Sequence, residues 1–360
     1  MKTSFQVARV MGIPIKLHIT FLLVLPLFTF LFASYPAPYG FGDTTPIMEK
    51  YFLSLVTTIL LFTCILLHEL GHSYLAKKYG FKIDSITLLL FGGVASMEEM
   101  PRDSSMEAKM AVAGPTVSFT IAAICLGIIA LFPLLSTTAP MRIIWIIGYI
   151  NIVLAVFNLL PAFPMDGGRV LRAWYAKKMS YVEATQHAAY VGKLFAFIMG
   201  MFGLLYNVWL LMIAFFVYIG ASEEERSTKI SVTLEKVPVK NIMTREIVSV
   251  PPSWTIEEIT LLMFQKKHMG YPVIEGNDLK GIITFTDVHK VPPEERSKIL
   301  VSDLMTSDVI SINADADSSD ALKLMTINKI GRVLVTDNGS VVGILSRTDL
   351  MRTLMFLGEQ

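Results

Sequence analysis

Within the apolar stretch Leu60–Tyr79, LLFTCILLHELGHSYLAKKY, three groups able to do chemistry fall inside five residues: His68, Glu69 and His72. The pattern His-Glu-x-x-His sets both histidines at i and i+4 on one helix face, where two imidazoles can reach a single metal ion. Glu69 lies beside them, able to take a proton from an activated water. Five residues alone recur by chance in soluble helices, so the setting carries the weight. An ionisable group at a bilayer centre costs about 2.5–3.5 kcal/mol on insertion scales, and such groups usually face a cavity or a partner. The competing structural role is a polar helix end packed against other helices.

The elements that must hold these groups follow from composition. Hydrophobic residues make up 53% of the 360, the net charge is +1, and the mean hydropathy is +0.56. That is too apolar for an ordinary soluble domain, and the charge argues against nucleic acid as a partner. Cys64 and Cys125 lie inside apolar runs, so no disulfide framework is expected. The first apolar run is long and ends at no small-residue cleavage site, so no cleaved signal peptide is expected. Nearly all the apolar character precedes Ala221. Spans are expected at about His18–Ala33, Tyr51–Lys77, Lys109–Phe132 and Ile143–Leu160. Tyr190–Ala221 is too long for one span and can turn near Gly203–Asn207 to give two. FKIDSITLLLFGGVASMEEMP is too short to cross; split at Gly92-Gly93, it is expected to be re-entrant or strand-like and to line the site. The expected fold is a polytopic α-helical membrane domain of about six transmembrane helices, followed by an α+β region.

Charge bias orients the spans. The N-terminal arm carries Lys2, Arg9 and Lys16; Lys77, Lys78, Lys82 and Arg102 follow span two; Arg169, Arg172, Lys177 and Lys178 follow span four. Tyr35–Glu49 and Pro133–Met141 contain no Lys or Arg. This places both termini in the cytosol of a multi-pass protein of the cell membrane. Spans two and four then both run toward the cytosol, which brings His68, His72 and Asp166 to one side of the bilayer. A catalytic zinc site needs a third protein ligand, and Asp166 is the best one, with Pro161 and Pro164 interrupting the helix and able to aim its carboxylate inward. The alternative is a turn aspartate before Gly-Gly. Asn158, two turns earlier, can donate to a substrate carbonyl or its oxyanion, or to a neighbouring helix. His18 is expected to be interfacial rather than a ligand.

HELGH on an early span, AGP at Ala113–Pro115 and NLLPAFPMDGGR on a later one resemble the site-2 protease family of intramembrane zinc metalloproteases, over residues 1 to about 221. The resemblance implies one zinc per chain held by His68, His72 and Asp166, with Glu69 as general base and Asn158 assisting substrate binding. It implies cleavage of membrane-anchored regulatory proteins within or near their transmembrane segments, in the lipid bilayer. Many members insert a PDZ domain on the extracytosolic side, but Pro133–Met141 is too short for one. The chain is similar instead to the smaller subgroup with a C-terminal pair of CBS domains.

That pair is visible as an internal repeat. Lys240-Asn-Ile-Met-Thr244 echoes Ser302-Asp-Leu-Met-Thr306, and GIITFTD from Gly281 echoes GILSRTD from Gly343, both 62 residues on. The expected division is a membrane metalloprotease domain 1–221, a linker 222–237, and CBS repeats 238–298 and 299–360. In CBS domains a Ser/Thr followed three residues on by Asp commonly contacts an adenosyl ligand such as ATP or AMP, here Thr284, Asp287, Ser346 and Asp349. The same residues can instead cap the following helices, and many CBS pairs serve only as homodimer or docking modules. A rival from another class is a CBS-regulated channel or transporter with His, Glu and Asp lining the path, but it gives no reason for a zincin arrangement. A zinc-binding scaffold without catalysis would tolerate loss of Glu69.

Overall fold

The alternation Ile13-Pro14-Ile15-Lys16 at the N-terminus is strand periodicity, and the computed structural model of the chain shows the strand. It describes residues 4–89, 92–97, 103–135, 138–235, 237–276 and 278–358, omitting the side chains of 92, 94–97 and 358. β1 (Ser4–Val10) and β2 (Ile13–His18) form an antiparallel hairpin turned at Met11 and Gly12, both with positive φ, 54° and 82°. β3 (Ile83–Leu89) lies parallel to β2 and antiparallel to β4 (Gly92–Met97), giving the order β1-β2-β3-β4. The segment expected to be re-entrant or strand-like thus contributes two paired strands; its residues 90, 91 and 98–101 lie outside the described residues. The arm, expected only as a short basic segment, is half of this sheet.

Among the described residues, seven helices complete the first compact unit and enter the second: α1 (Phe21–Ser34), α2 (Ile47–Lys78), α3 (Ser104–Leu131), α4 (Ala139–Asn158), α5 (Asp166–Tyr175), α6 (Tyr181–Tyr206) and α7 (Val208–Glu235). Among the described residues, α2, α3, α4 and α6 are long and apolar enough to cross a membrane, and α1 is a shorter apolar helix. Among the described residues the expected stretches fall on α1, α2, α3, α4, α6 and α7, and the first begins at Phe21 rather than His18. His18 closes β2, its Nδ1 2.9 Å from Thr20 Oγ1. The break expected near Gly203–Asn207 falls at Asn207, whose extended backbone (φ −161°) separates α6 from α7. Asn207 Oδ1 accepts from the Trp209 N–H at 2.9 Å, the local competition that makes Asn a helix stop. α6 starts at Tyr181, before the expected boundary, because Ser180 and Glu183 form a reciprocal capping box. The stretch 222–235, expected as linker, continues α7 as helix.

Several threonines inside the apolar helices are satisfied locally. Thr57 and Thr58 donate to the carbonyls of Leu53 and Ser54, both at 2.8 Å, the i−4 arrangement available where water is absent. The sheet docks on α2: Ile13, Ile15 and Ile86 are buried against Leu70, two residues from Glu69's neighbour His68. The helix with the metal-binding pattern is therefore flanked by sheet on one side and by α3 on another.

A buried ion cluster fixes α5. Arg172, 1% exposed, donates through Nε to Glu107 Oε1 of α3 at 2.8 Å and through Nη1 to Glu224 Oε1 of α7 at 2.6 Å. Its Nη2 also meets Glu107 Oε1, and its guanidinium lies 5.0 Å from the Phe163 ring and 4.8 Å from that of Tyr181. Planar guanidinium suits both the double hydrogen bond and the stacking; an ammonium would not.

In the second unit, 227–360, two pseudo-equivalent halves follow. The first has α8 (Ile256–Lys266), β5 (Gly270–Glu275), β6 (Asp278–Thr284) and α9 (Phe285–His289). After α10 (Val301–Leu304), the second has β7 (Ser311–Asn313), α11 (Ser318–Ile327), β8 (Arg332–Asp337), β9 (Ser340–Ser346) and α12 (Arg347–Gly358). Each half exchanges its leading segment with the other. Leu234, Val239, Ile242 and Met243 pack with Val333, Val335 and Leu345, whereas Val301, Leu304 and Met305 pack with Tyr271, Val273 and Ile283. The bridges Thr244–Ile344 and Ile282–Thr306 seal this exchange.

Replacing Arg172 by Ala strands two carboxylates, one of them nearly fully buried, and should cost about 3–5 kcal/mol. The expected readout is a lower Tm in detergent, partly recovered when Glu107→Gln is added. An unchanged Tm would show that the cluster holds nothing together.

Candidate metal centre

α2 and α3 pack antiparallel, and their registers bring the histidines to matched partners. His72 Nδ1 lies 2.7 Å from the Met110 carbonyl oxygen, and His68 Nδ1 lies 2.9 Å from Ser118 Oγ. Met110, Gly114 and Ser118 are spaced by four, so they form one stripe on α3 facing the i, i+4 pair on α2. Gly114 is the middle of the stripe and cannot carry a side chain. A Cβ there would lie 2.6 Å from His68 Nε2 and nearer still to His72 Nε2.

Asp166 enters from a distant part of the chain. It is the first residue of α5, where a carboxylate complements the helix dipole. The loop that delivers it is held by Ala162, Phe163 and Met165, all buried. Asp166 Oδ2 lies 3.3 Å from His68 Nε2 and 3.1 Å from His72 Nε2. Among the described residues these three form a group whose ligand atoms lie within 4.8 Å of one another.

The donor set suits zinc. Two ligands about 2.0–2.1 Å from a tetrahedral ion sit about 3.3–3.4 Å apart, close to the two Nε2–Oδ2 separations. Both Nδ1 atoms have partners of their own, leaving the Nε2 atoms to face Asp166 across the space that Gly114 keeps free. Two imidazoles and one carboxylate leave a coordination position open for water or substrate, the pattern of a catalytic rather than a structural site.

Glu69 follows His68 directly and its side chain lies against β4: a Cβ on Gly93 would overlap it. The structure thus brings together His68, Glu69, His72 and Asp166. It does not do the same for Asn158, whose amide donates back to the Leu154 carbonyl of its own helix at 3.0 Å. Sequence alone marks Gly114 within Ala113–Pro115 and Gly93 within a segment expected to line the site, but it does not single out Met110 or Ser118. The four-residue spacing of Met110, Gly114 and Ser118 on α3 is visible there, but it gains meaning only once α2 is known to be the neighbour.

In the second unit, Thr284 and Ser346 each donate to the carboxylate three residues on, at 2.6 Å in both cases, and cap α9 and α12. Burial opposes the charge on Asp287, but hydrogen bonds from Thr284 and Lys290 outweigh it and hold its pKa below the ordinary value. The two motifs differ in one respect. Thr284 and Asp287 line a cavity of about 470 Å³ with Asp308, Lys329 and Arg332, and Ser346 and Asp349 are not among its lining residues.

Comparison with known proteins gives two family matches. Residues 56–136 and 133–199 match peptidase family M50, and residues 239–294 and 301–355 match the CBS domain. A zinc metalloprotease of Methanocaldococcus jannaschii is 39% identical over 358 residues, 99% of this chain and 98% of that protein. A CBS domain-containing protein of Bacillus subtilis is 32% identical over 114 residues, 31% of this chain and 81% of that protein. The solved site-2 protease from Methanocaldococcus jannaschii is 41% identical, covers 62% of this chain and 95% of its own, and superposes with a TM-score of 0.45.

Gly114→Ala should displace both imidazoles and lower the metal content of the purified full-length protein well below that of the parent. Metal analysis after desalting reads this directly; undiminished content would mean that the ion is held elsewhere.

Proposed function

Since the chain belongs to peptidase family M50, the membrane-embedded zinc metalloproteases of the site-2 type, we propose that His68, His72 and Asp166 hold its zinc and that Glu69 is the general base. The convergence of both Nε2 atoms on Asp166 Oδ2, at 3.3 and 3.1 Å, carries this assignment. The substrate is a membrane-anchored regulatory protein, cut within or beside a transmembrane segment. Both termini are cytosolic, which accords with the basic arm and the basic segments after α2 and α4. The membrane domain is 1–221, the connecting segment 222–237, and the CBS repeats 238–298 and 299–360.

When bound, zinc supplies a Lewis acid for the peptide carbonyl and lets water act as a nucleophile at neutral pH. Glu69 accepts one proton of that water as its oxygen bonds the carbonyl carbon, and returns it to the nitrogen as the C–N bond breaks. Asn158 donates to the developing oxyanion once substrate draws its amide away from Leu154. A substrate helix must first unwind, because its carbonyls are otherwise bonded along the helix. β4 ends the four-stranded sheet and lies against Glu69, so an unwound segment can add there as a further strand.

The CBS pair regulates. Its cavity offers apolar walls for a base, Asp287 for ribose hydroxyls, and Lys329 and Arg332 for phosphate, the surroundings an adenine nucleotide requires. A homodimer through the CBS domains belongs to the same proposal. A channel or transporter has no need of a carboxylate directly after the first of two histidines at zincin spacing, and nothing in the geometry favours one.

Glu69→Gln should keep its zinc and its fold and lose about 10²–10⁴-fold in cleavage of a model transmembrane substrate, because an amide cannot take the proton. Normal cleavage by that variant overturns the mechanism. For the CBS site, AMP titrated into the full-length protein should bind, and Asp287→Ala should weaken it about 10–100-fold through loss of charge-assisted hydrogen bonds. Asp349→Ala should change it little. Equal losses from both variants would contradict a single site at the Asp287 cavity.

A further inference from the structure

Ser118 behaves unlike the hydroxyls around it. Thr116 and Thr120, on the same helix, donate to the carbonyls four residues back at 2.8 Å, as Thr57 and Thr58 do on α2. Ser118 makes no such bond among the described residues. It is fully buried, and its Oγ instead lies 2.9 Å from His68 Nδ1, across the α2–α3 contact and fifty residues along the chain. In an apolar interior a serine closes on its own backbone unless something better is in reach.

We infer that Ser118 is a positioning residue that fixes His68 for metal binding, a step that rests on His68, His72 and Asp166 being the zinc ligands. An imidazole that offers the Nε2 lone pair to a metal carries its proton on Nδ1, and that N–H needs an acceptor. His72 has the Met110 carbonyl, a backbone group that no substitution removes. Among the described residues, His68 Nδ1 has only the Ser118 hydroxyl. Nδ1–H donating to Oγ holds the ring plane so that Nε2 points at Asp166 and keeps the ligating tautomer. Without the hydroxyl, His68 gains most by placing its proton on Nε2 toward Asp166 Oδ2, 3.3 Å away, which is the arrangement that excludes the ion. The two histidines are therefore held unequally: one by main chain, the other by a single replaceable side chain.

The test is zinc affinity of the full-length protein, measured by competition with a fluorescent chelator, together with the Tm of metal-free protein. Loss of an outer partner of a metal-bound histidine typically weakens the metal about 10–100-fold. Ser118→Ala should show that rise in zinc Kd with an unchanged metal-free Tm. Ser118→Cys, of similar size but a weak acceptor, should behave like Ser118→Ala and serves if the smaller residue disturbs packing. Ser118→Thr keeps the hydroxyl and should restore affinity, and Thr120→Ala on the same helix should match the parent. If Ser118→Ala and Ser118→Cys bind zinc as tightly as a parent that binds it stoichiometrically, the inference is overturned while the metal site stands. If the metal-free Tm falls and affinity does not, Ser118 is only a packing residue. If the parent binds no zinc, both the site and this inference fall.

Discussion

Three polar side chains facing one another in an apolar bundle impose the constraint on which the rest of the first unit depends. Two imidazole nitrogens 3.3 and 3.1 Å from one carboxylate oxygen cannot be left in a low-dielectric interior without partners or an ion. Each ring is therefore anchored at its far nitrogen by α3, and α3 surrenders a side chain at Gly114 so that the near nitrogens have room. The antiparallel register of α2 against α3 follows: it alone matches His72 with Met110 and His68 with Ser118. α5 then has to bring Asp166 to the same point, and the Glu107–Arg172–Glu224 cluster ties that helix to α3 and α7.

The same cluster has a second consequence. Glu224 stands on α7, a helix that runs without a break to Glu235, and Leu234 near its end is buried in the core of the second CBS half. A regulator can change activity only by its differential affinity for two arrangements, typically about 1–3 kcal/mol.

How far the sequence alone reaches depends on whether the signal is local. HELGH and PMDGGR carry their meaning in their own spacing, and apolar runs of membrane length announce α2, α3, α4 and α6. The 62-residue repeat announces the CBS pair. Contacts between distant segments are another matter. Ser118 and Gly114 sit in an ordinary apolar helix, and only the docking of α2 turns them into an anchor and a gap. The exchange of leading segments between the CBS halves is hidden for the same reason, since Val239 and Val301 read as the starts of their own repeats. The N-terminal hairpin differs: the alternation over Ile13–His18 is strand periodicity, but so short a run has no visible partner until β1 and β3 pair with it.

Zinc-edge X-ray absorption on the purified full-length protein probes the central claim, that one ion is held by two imidazoles and a carboxylate, most directly. The account predicts nitrogen and oxygen neighbours at about 2.0–2.2 Å, the multiple-scattering pattern of two histidines, and no sulfur. A sulfur neighbour at about 2.3 Å, which only Cys64, Cys125 or a methionine could supply, or a spectrum without histidine scattering, would contradict it.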